Sequence, residues 1–181
     1  MPSNSKRSTT SKKAKAKTVR KAPAKPKKTT KIAPADATHA FTEAIALFQG
    51  GYVFDAVKKF QEIAKDDGGH ELADDALVNA GLCYMHMALY RDAIAQFSRV
   101  VQGYPNSTIS GVFNGQEVGR TAAKALLNRI RCHLMLGDAD GAKKDHASLK
   151  KYSDSYVLDS QGGKKTFFDV ANEILAGKQG P

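Results

Sequence analysis

The chain has 181 residues and a mass of 19.5 kDa, with 28 Lys and Arg against 18 Asp and Glu, a formal net charge of +10 and a pI near 9.6. That length suits one domain, or one domain with a tail; the 41% hydrophobic content supplies a single core, and no apolar run approaches the ~18–20 residues of a membrane span. Two cysteines, Cys83 and Cys132, are too few for a disulfide scaffold and fit a reducing compartment.

The charge sits at one end. Residues 1–35 hold ten Lys, two Arg and no acid, leaving 16 basic residues against all 18 acidic ones in 36–181. The same stretch carries four of the six prolines and little that is large and apolar beyond Val19 and Ile32. Such a segment buries too little surface to offset its ordering entropy, so residues 1–35 are expected to be a disordered basic tail and 36–181 the folded domain. The tail lacks the apolar stretch of a secretory signal, which predicts a cytoplasmic protein with nucleoid or nuclear association open to it. Lys dominance and Pro23, Pro26 and Pro34 argue against a mitochondrial presequence. Its texture, carried by Lys12, Lys13, Lys15, Lys17, Arg20, Lys21, Lys25, Lys27 and Lys28, resembles the tails of linker histones and bacterial histone-like proteins. That resemblance implies sequence-blind contact with phosphates driven by counterion release. A solubilising spacer is the plainer reading of the same composition.

From residue 37 the pattern is helical and repeats. Phe41, Ala44, Ile45, Leu47 and Phe48 fall on one face after a cap at Asp36 or Thr38, and Gly50-Gly51 ends the run. Val53, Ala56, Val57, Phe60 and Ile63 form a second helix, stopped at Asp66-Asp67-Gly68-Gly69. A second pair covers 71–104, from Leu77, Ala80, Gly81 and Tyr84 to Ala93, Phe97 and Val100. A third covers about 120–151, broken at Gly137. An amphipathic stretch near 165–176 follows, with Phe167, Val170, Ala171 and Ile174.

Leu77-x2-Ala80-Gly81-x2-Tyr84, Ala93-x3-Phe97 and Pro105 keep the spacings of a tetratricopeptide repeat, and residues 71–105 resemble one. The first unit aligns through Gly51, Tyr52, Ala56 and Phe60. The third aligns through Leu126, Ile130, Gly137 and Ala142, with His133 and His146 standing where Tyr and Phe are expected. The resemblance implies an all-α, right-handed α-solenoid of about three antiparallel helix pairs (37–66, 71–104, 120–151) closed by a C-terminal capping helix. Small residues at Gly81, Ala56, Ala93 and Ala142 would let paired helices approach, and Phe60, Tyr84 and Phe97 would fill the space between layers.

Two segments interrupt the array. Residues 106–119 form an insertion with a turn signal at Asn114-Gly115, which predicts a short hairpin-like excursion. Residues 152–163 connect the third pair to the capping helix. Phe113 in the insertion is a candidate partner contact, or a side chain tucked onto the array's flank.

No catalytic or cofactor chemistry emerges. Cys83 and His86 lack further ligands at metal-site spacing, and the equivalent places of Cys83 and Cys132 in their repeats favour inert buried thiols. Gly162-Gly163-Lys164-Lys165-Thr166 lacks the earlier glycine of a phosphate loop, and Asp138-Ala139-Asp140-Gly141 reads as a turn and N-cap. What remains is surface: Asn79, Leu82, Met85, His86, Lys124, Asn128 and Arg131 are left unused by the packing pattern on the first helices of the second and third pairs. The family resemblance makes these the concave groove. Asn79 and Lys124 match residues with which some members hold a partner's C-terminal carboxylate, but Asn128 replaces an Arg and the first helix offers Phe41 and Ile45, so the full clamp is absent. The alternative for the polar residues is an ordinary solvated groove. The function expected is a non-enzymatic adaptor for a protein or peptide partner, its tail attracted to an anionic partner. The alternative is a nucleic-acid-associated protein whose tail binds phosphates and whose helices self-associate.

Overall fold

The computed structural model describes residues 34–65, 72–111, 115–159 and 161–177. The basic tail therefore falls, up to residue 33, outside the described residues, as do Val112, Phe113 and Asn114 of the insertion.

Seven helices among the described residues build an all-α helical-repeat fold. They are α1 (Pro34–Gln49), α2 (Val53–Ile63), α3 (Ala73–His86), α4 (Tyr90–Gly103), α5 (Thr121–Met135), α6 (Ala139–Leu149) and α7 (Phe167–Leu175). Each helix packs on its sequence neighbour, α1 on α2 through α5 on α6, and α7 closes the end against α5 and α6. Helix α1 starts at Pro34, two residues before the first expected cap. Proline is tolerated there because the first-turn N–H groups have no intrahelical acceptor.

The three pairs turn with the same hydrogen bonds. Gly51, Ala88 and Gly137 donate to the carbonyls of Phe48, Met85 and Leu134, while Tyr52, Leu89 and Asp138 donate five residues back to Leu47, Tyr84 and His133. This double closure needs a left-handed residue at its centre. The central φ values are 84° at Gly51, 57° at Ala88 and 72° at Gly137.

Packing follows from residue size. Ala56, Ala93 and Ala142 are fully buried where second helices meet their partners, and Phe41, Phe60 and Phe97 fill the layers between. Phe41 and Phe60 meet edge to face at 5.2 Å, a favoured aromatic geometry. Tyr84 is half-buried and accepts a hydrogen bond from Gln61 Nε2 at 3.2 Å, tying α3 to α2.

The two histidines of the third pair face neighbours that the earlier pairs do not have. His146 stacks on Phe168 of α7 at 4.5 Å and hydrogen-bonds Asn172 at 2.7 Å. Thr166 caps α7 by accepting from Asp169 N. His133 lies between Asp138 (2.8 Å) and Asp145 (3.6 Å), and Asp145 accepts two hydrogen bonds from Arg129.

The two interrupting segments join each other. Strands β1 (Glu117–Val118), β2 (Tyr156–Leu158) and β3 (Lys164–Thr166) make an antiparallel sheet in that order, with Glu117 opposite Val157 and Val157 opposite Lys165. The excursion expected at 106–119 has antiparallel arms, bridged at Thr108 and Arg120, yet its strand pairs with the connector. Gly119 permits this: its φ is 115°, and a Cβ there would lie 2.4 Å from Ser155.

Candidate functional site: the concave groove

The groove residues divide into two environments. Asn79, Leu82 and Met85 are half-buried and His86 is exposed on α3. His86 meets Phe48 of α1 edge to face at 5.4 Å, and Asn79 Nδ2 donates to the Asp75 carbonyl at 2.8 Å. A cavity of about 220 Å³ opens between α1 and α3. Its walls are Ile45, Phe48 and Gln49 from α1, Phe60 from α2, and Asn79, Leu82 and Cys83 from α3. The lining is largely apolar with two amides. Of these, only Ile45, Asn79, Leu82 and Cys83 stood out in the sequence as candidate surface or thiol positions. Phe48 and Gln49 join them from the last turn of α1, where Phe48 also meets His86 of α3.

On α5 the situation differs. Lys124 and Asn128 are buried and Arg131 is half-buried. Lys124 Nζ pairs with Glu117 Oε2 at 2.5 Å, Asn128 Nδ2 donates to the Lys124 carbonyl, and Arg131 Nη1 donates to Asn128 Oδ1 at 3.0 Å. Burial pushes the Arg131 guanidinium down from its ordinary value, opposed by the charge of Glu117. The solvated polar face expected at Lys124 and Asn128 is thus covered. Glu117, carried by the insertion, was not legible as a site residue.

The insertion is tied to α3 as well. Ser110 N donates to Asp75 Oδ2 at 3.0 Å. Its neighbour Asp74 is buried, Oδ2 has no hydrogen-bond partner among the described residues, and burial pushes its carboxyl up.

Both cysteines are buried. Loss of solvation pushes the Cys83 thiol up to about 11 and the Cys132 thiol up to about 12, so neither is a thiolate near neutral pH. No group of three or more potential metal ligands occurs among the described residues. Asp138 caps α6 by accepting from Gly141 N at 2.9 Å, and that bond holds its carboxyl below the ordinary range. The Gly162-Gly163 segment closes the β2–β3 connection, where Asp159 Oδ1 accepts from Gly163 N at 2.7 Å. No described helix is long and apolar enough to cross a membrane.

Neither a curated protein nor a solved structure matches the chain. A protein-family model, the tetratricopeptide repeat, matches residues 75–107. That span runs from the first turn of α3 through α4 to Pro105 and the two residues after it, and contains Gly81, Tyr84, Ala93 and Phe97. The second helix pair of this array is therefore similar to a tetratricopeptide repeat.

Proposed function

We propose that the protein is a non-enzymatic adaptor that captures a protein partner in the groove between α1 and α3. The observation that carries this reading is the apolar cavity of about 220 Å³ on that face, whose amides at Gln49 and Asn79 add orientation. A cavity of this size suits one or two apolar side chains from a helix or extended segment, with polar groups at its rim fixing register. The basic tail supplies a separate, nonspecific attraction to an anionic partner, because its 12 positive charges are unopposed by any acid in residues 1–35.

Crosslinking mass spectrometry from native extract, with full-length, arm-deleted and Leu82→Asp chains side by side, tests this. A partner crosslinked near α1 and α3, retained without residues 1–35 and lost in Leu82→Asp, supports the groove. Capture that depends on the arm alone overturns it.

A further inference from the structure

Five of the seven large apolar side chains exposed among the described residues sit at the turns inside the helix pairs: Tyr52 and Phe54, Leu89, Met135 and Leu136. These turns share one end of the array. Phe48 meets His86, which brings the ends of α1 and α3 together, and Thr121 N donates to Ser107 O, so α5 starts where α4 has just ended. Tyr52 and Phe54 are the most open, at 64% and 65%. The same edge is acidic: residues 52–55, 89–92 and 135–140 hold Asp55, Asp92, Asp138 and Asp140 against Arg91 alone. Asp55 pairs with Lys58 and Asp138 meets His133, while Asp92 and Asp140 are exposed.

Exposed aromatic rings beside carboxylates suit a basic proline-rich segment, whose prolines pack on the rings while its flanking cation meets the acids. The chain carries such a segment in Arg20-x2-Pro23-x2-Pro26, with Lys21 and Lys25 inside it and no acid anywhere in residues 1–35. Its distance from the array fits. Pro26 stands eight residues before Pro34, where α1 begins, and eight extended residues span about 25 Å at 3.1 Å each. The 16 residues of α1 cover about 24 Å on the way to the turn at Tyr52. Pro34 disfavours helix at the residue before it, so the arm is not bound to continue the α1 axis.

We propose that Arg20–Pro26 of the chain's own arm docks on this edge: running back along α1, it lays Pro23 and Pro26 on Tyr52 and Phe54 and turns Arg20 toward Asp92 of the second pair. A tether this short gives an effective concentration of about a millimolar, so a weak contact is enough to hold the segment. Cations held on the edge are withdrawn from phosphates, so docking and polyanion binding compete for the same arm. This inference goes beyond the groove reading and does not depend on it, since no cavity residue is needed for the contact.

The test places a nitroxide on Ala24→Cys in the full chain at low salt; the native thiols Cys83 and Cys132 are buried and stay unlabelled. Amide signals of residues 52–55 and of Leu89 are expected to lose about half or more of their intensity, while Asn106 and Thr121 at the opposite end keep theirs. Pro23→Ala with Pro26→Ala, and separately Phe54→Ser, are each expected to cut that loss by about twofold or more. Neither change reaches the core, because the prolines lie in the arm and Phe54 is exposed. Uniform broadening, broadening centred on another face, or a loss that both variants leave unchanged overturns the proposal. So does broadening of an isotope-labelled chain without nitroxide when a nitroxide-bearing copy is mixed in at equal strength, since the segment then comes from a second copy.

Discussion

Gly81 of α3 lies directly against the ring of Phe97 of α4: a Cβ on Gly81 would approach that ring to 2.5 Å. The glycine is required by proximity, since it sits inside a helix without a left-handed conformation. Phe97 is fully buried, so the ring has no open space to swing into. Gly81→Ala gains about 1 kcal/mol of helix propensity but overpacks the α3–α4 seam at a cost of about 1–3 kcal/mol. The expected outcome is a lower urea midpoint with unchanged helix content, and partial recovery on adding Phe97→Leu.

Ala88 holds a φ of 57° where the other two pair turns use glycine. Its Cβ crowds the following carbonyl in that conformation. Ala88→Gly is expected to raise stability by about 0.5–1 kcal/mol, and Gly51→Ala to lower it by about 1–2 kcal/mol. Thermal melts of the two single variants, read together, check the sign reversal between equivalent positions.

Burial raises the Asp74 carboxyl above its ordinary 3.8 and Oδ2 has no partner among the described residues. The folded state therefore binds this proton more tightly than the unfolded chain does. Its stabilising contribution is fully present below the unfolded pKa and is lost as pH rises through the folded one. Asp74→Asn removes that slope and is expected to stabilise the protein at pH 7 by about 1 kcal/mol. Urea midpoints from pH 4 to pH 8 check it: the variant's advantage should grow with pH.

Arg129 and Asp145 form a two-bond ion pair across α5 and α6, at 2.9 and 2.6 Å, with the Asp145 side chain 5% exposed. Burial pushes Asp145 up and Arg129 opposes that rise. Arg129→Met leaves a buried carboxylate and is expected to cost about 3 kcal/mol near neutral pH. The cost should shrink on acidification, as the carboxyl takes up a proton. Denaturation at pH 5 and pH 7.5 separates this from a simple loss of packing.

Removing residues 1–35 takes away 12 positive charges and leaves residues 36–181 with more acids than bases. Binding of a single-stranded oligonucleotide, followed by fluorescence anisotropy, is expected to vanish with the arm. In the full chain it should fall by about two and a half decades between 50 and 200 mM salt if six phosphates are neutralised.

The helix pairs were legible because they are local. Spacings of three and four residues at Phe41 to Phe48 or Leu77 to Tyr84 mark a buried face whatever it packs against. Gly81, Ala93 and Phe97 report close helix approach through size alone. The apolar α1–α3 groove was half legible: Ile45 and Leu82 were visible, whereas Phe48 and Gln49 joined it only once the end of α1 was placed against α3 in three dimensions.

The amino-acid sequence by itself determined an array of three helix pairs with a closing helix, and a positive charge concentrated in its first 35 residues. Only the tertiary structure decided that the two interrupting segments become one sheet, and that Lys124 and Asn128 lie covered while Leu82 remains half-open. The reason is sequence distance. Glu117 pairs with Val157 across 40 residues, and the same residue supplies the carboxylate that meets Lys124. A two-residue strand has no periodicity of its own, so its register is set by its partner strand and the ion pair.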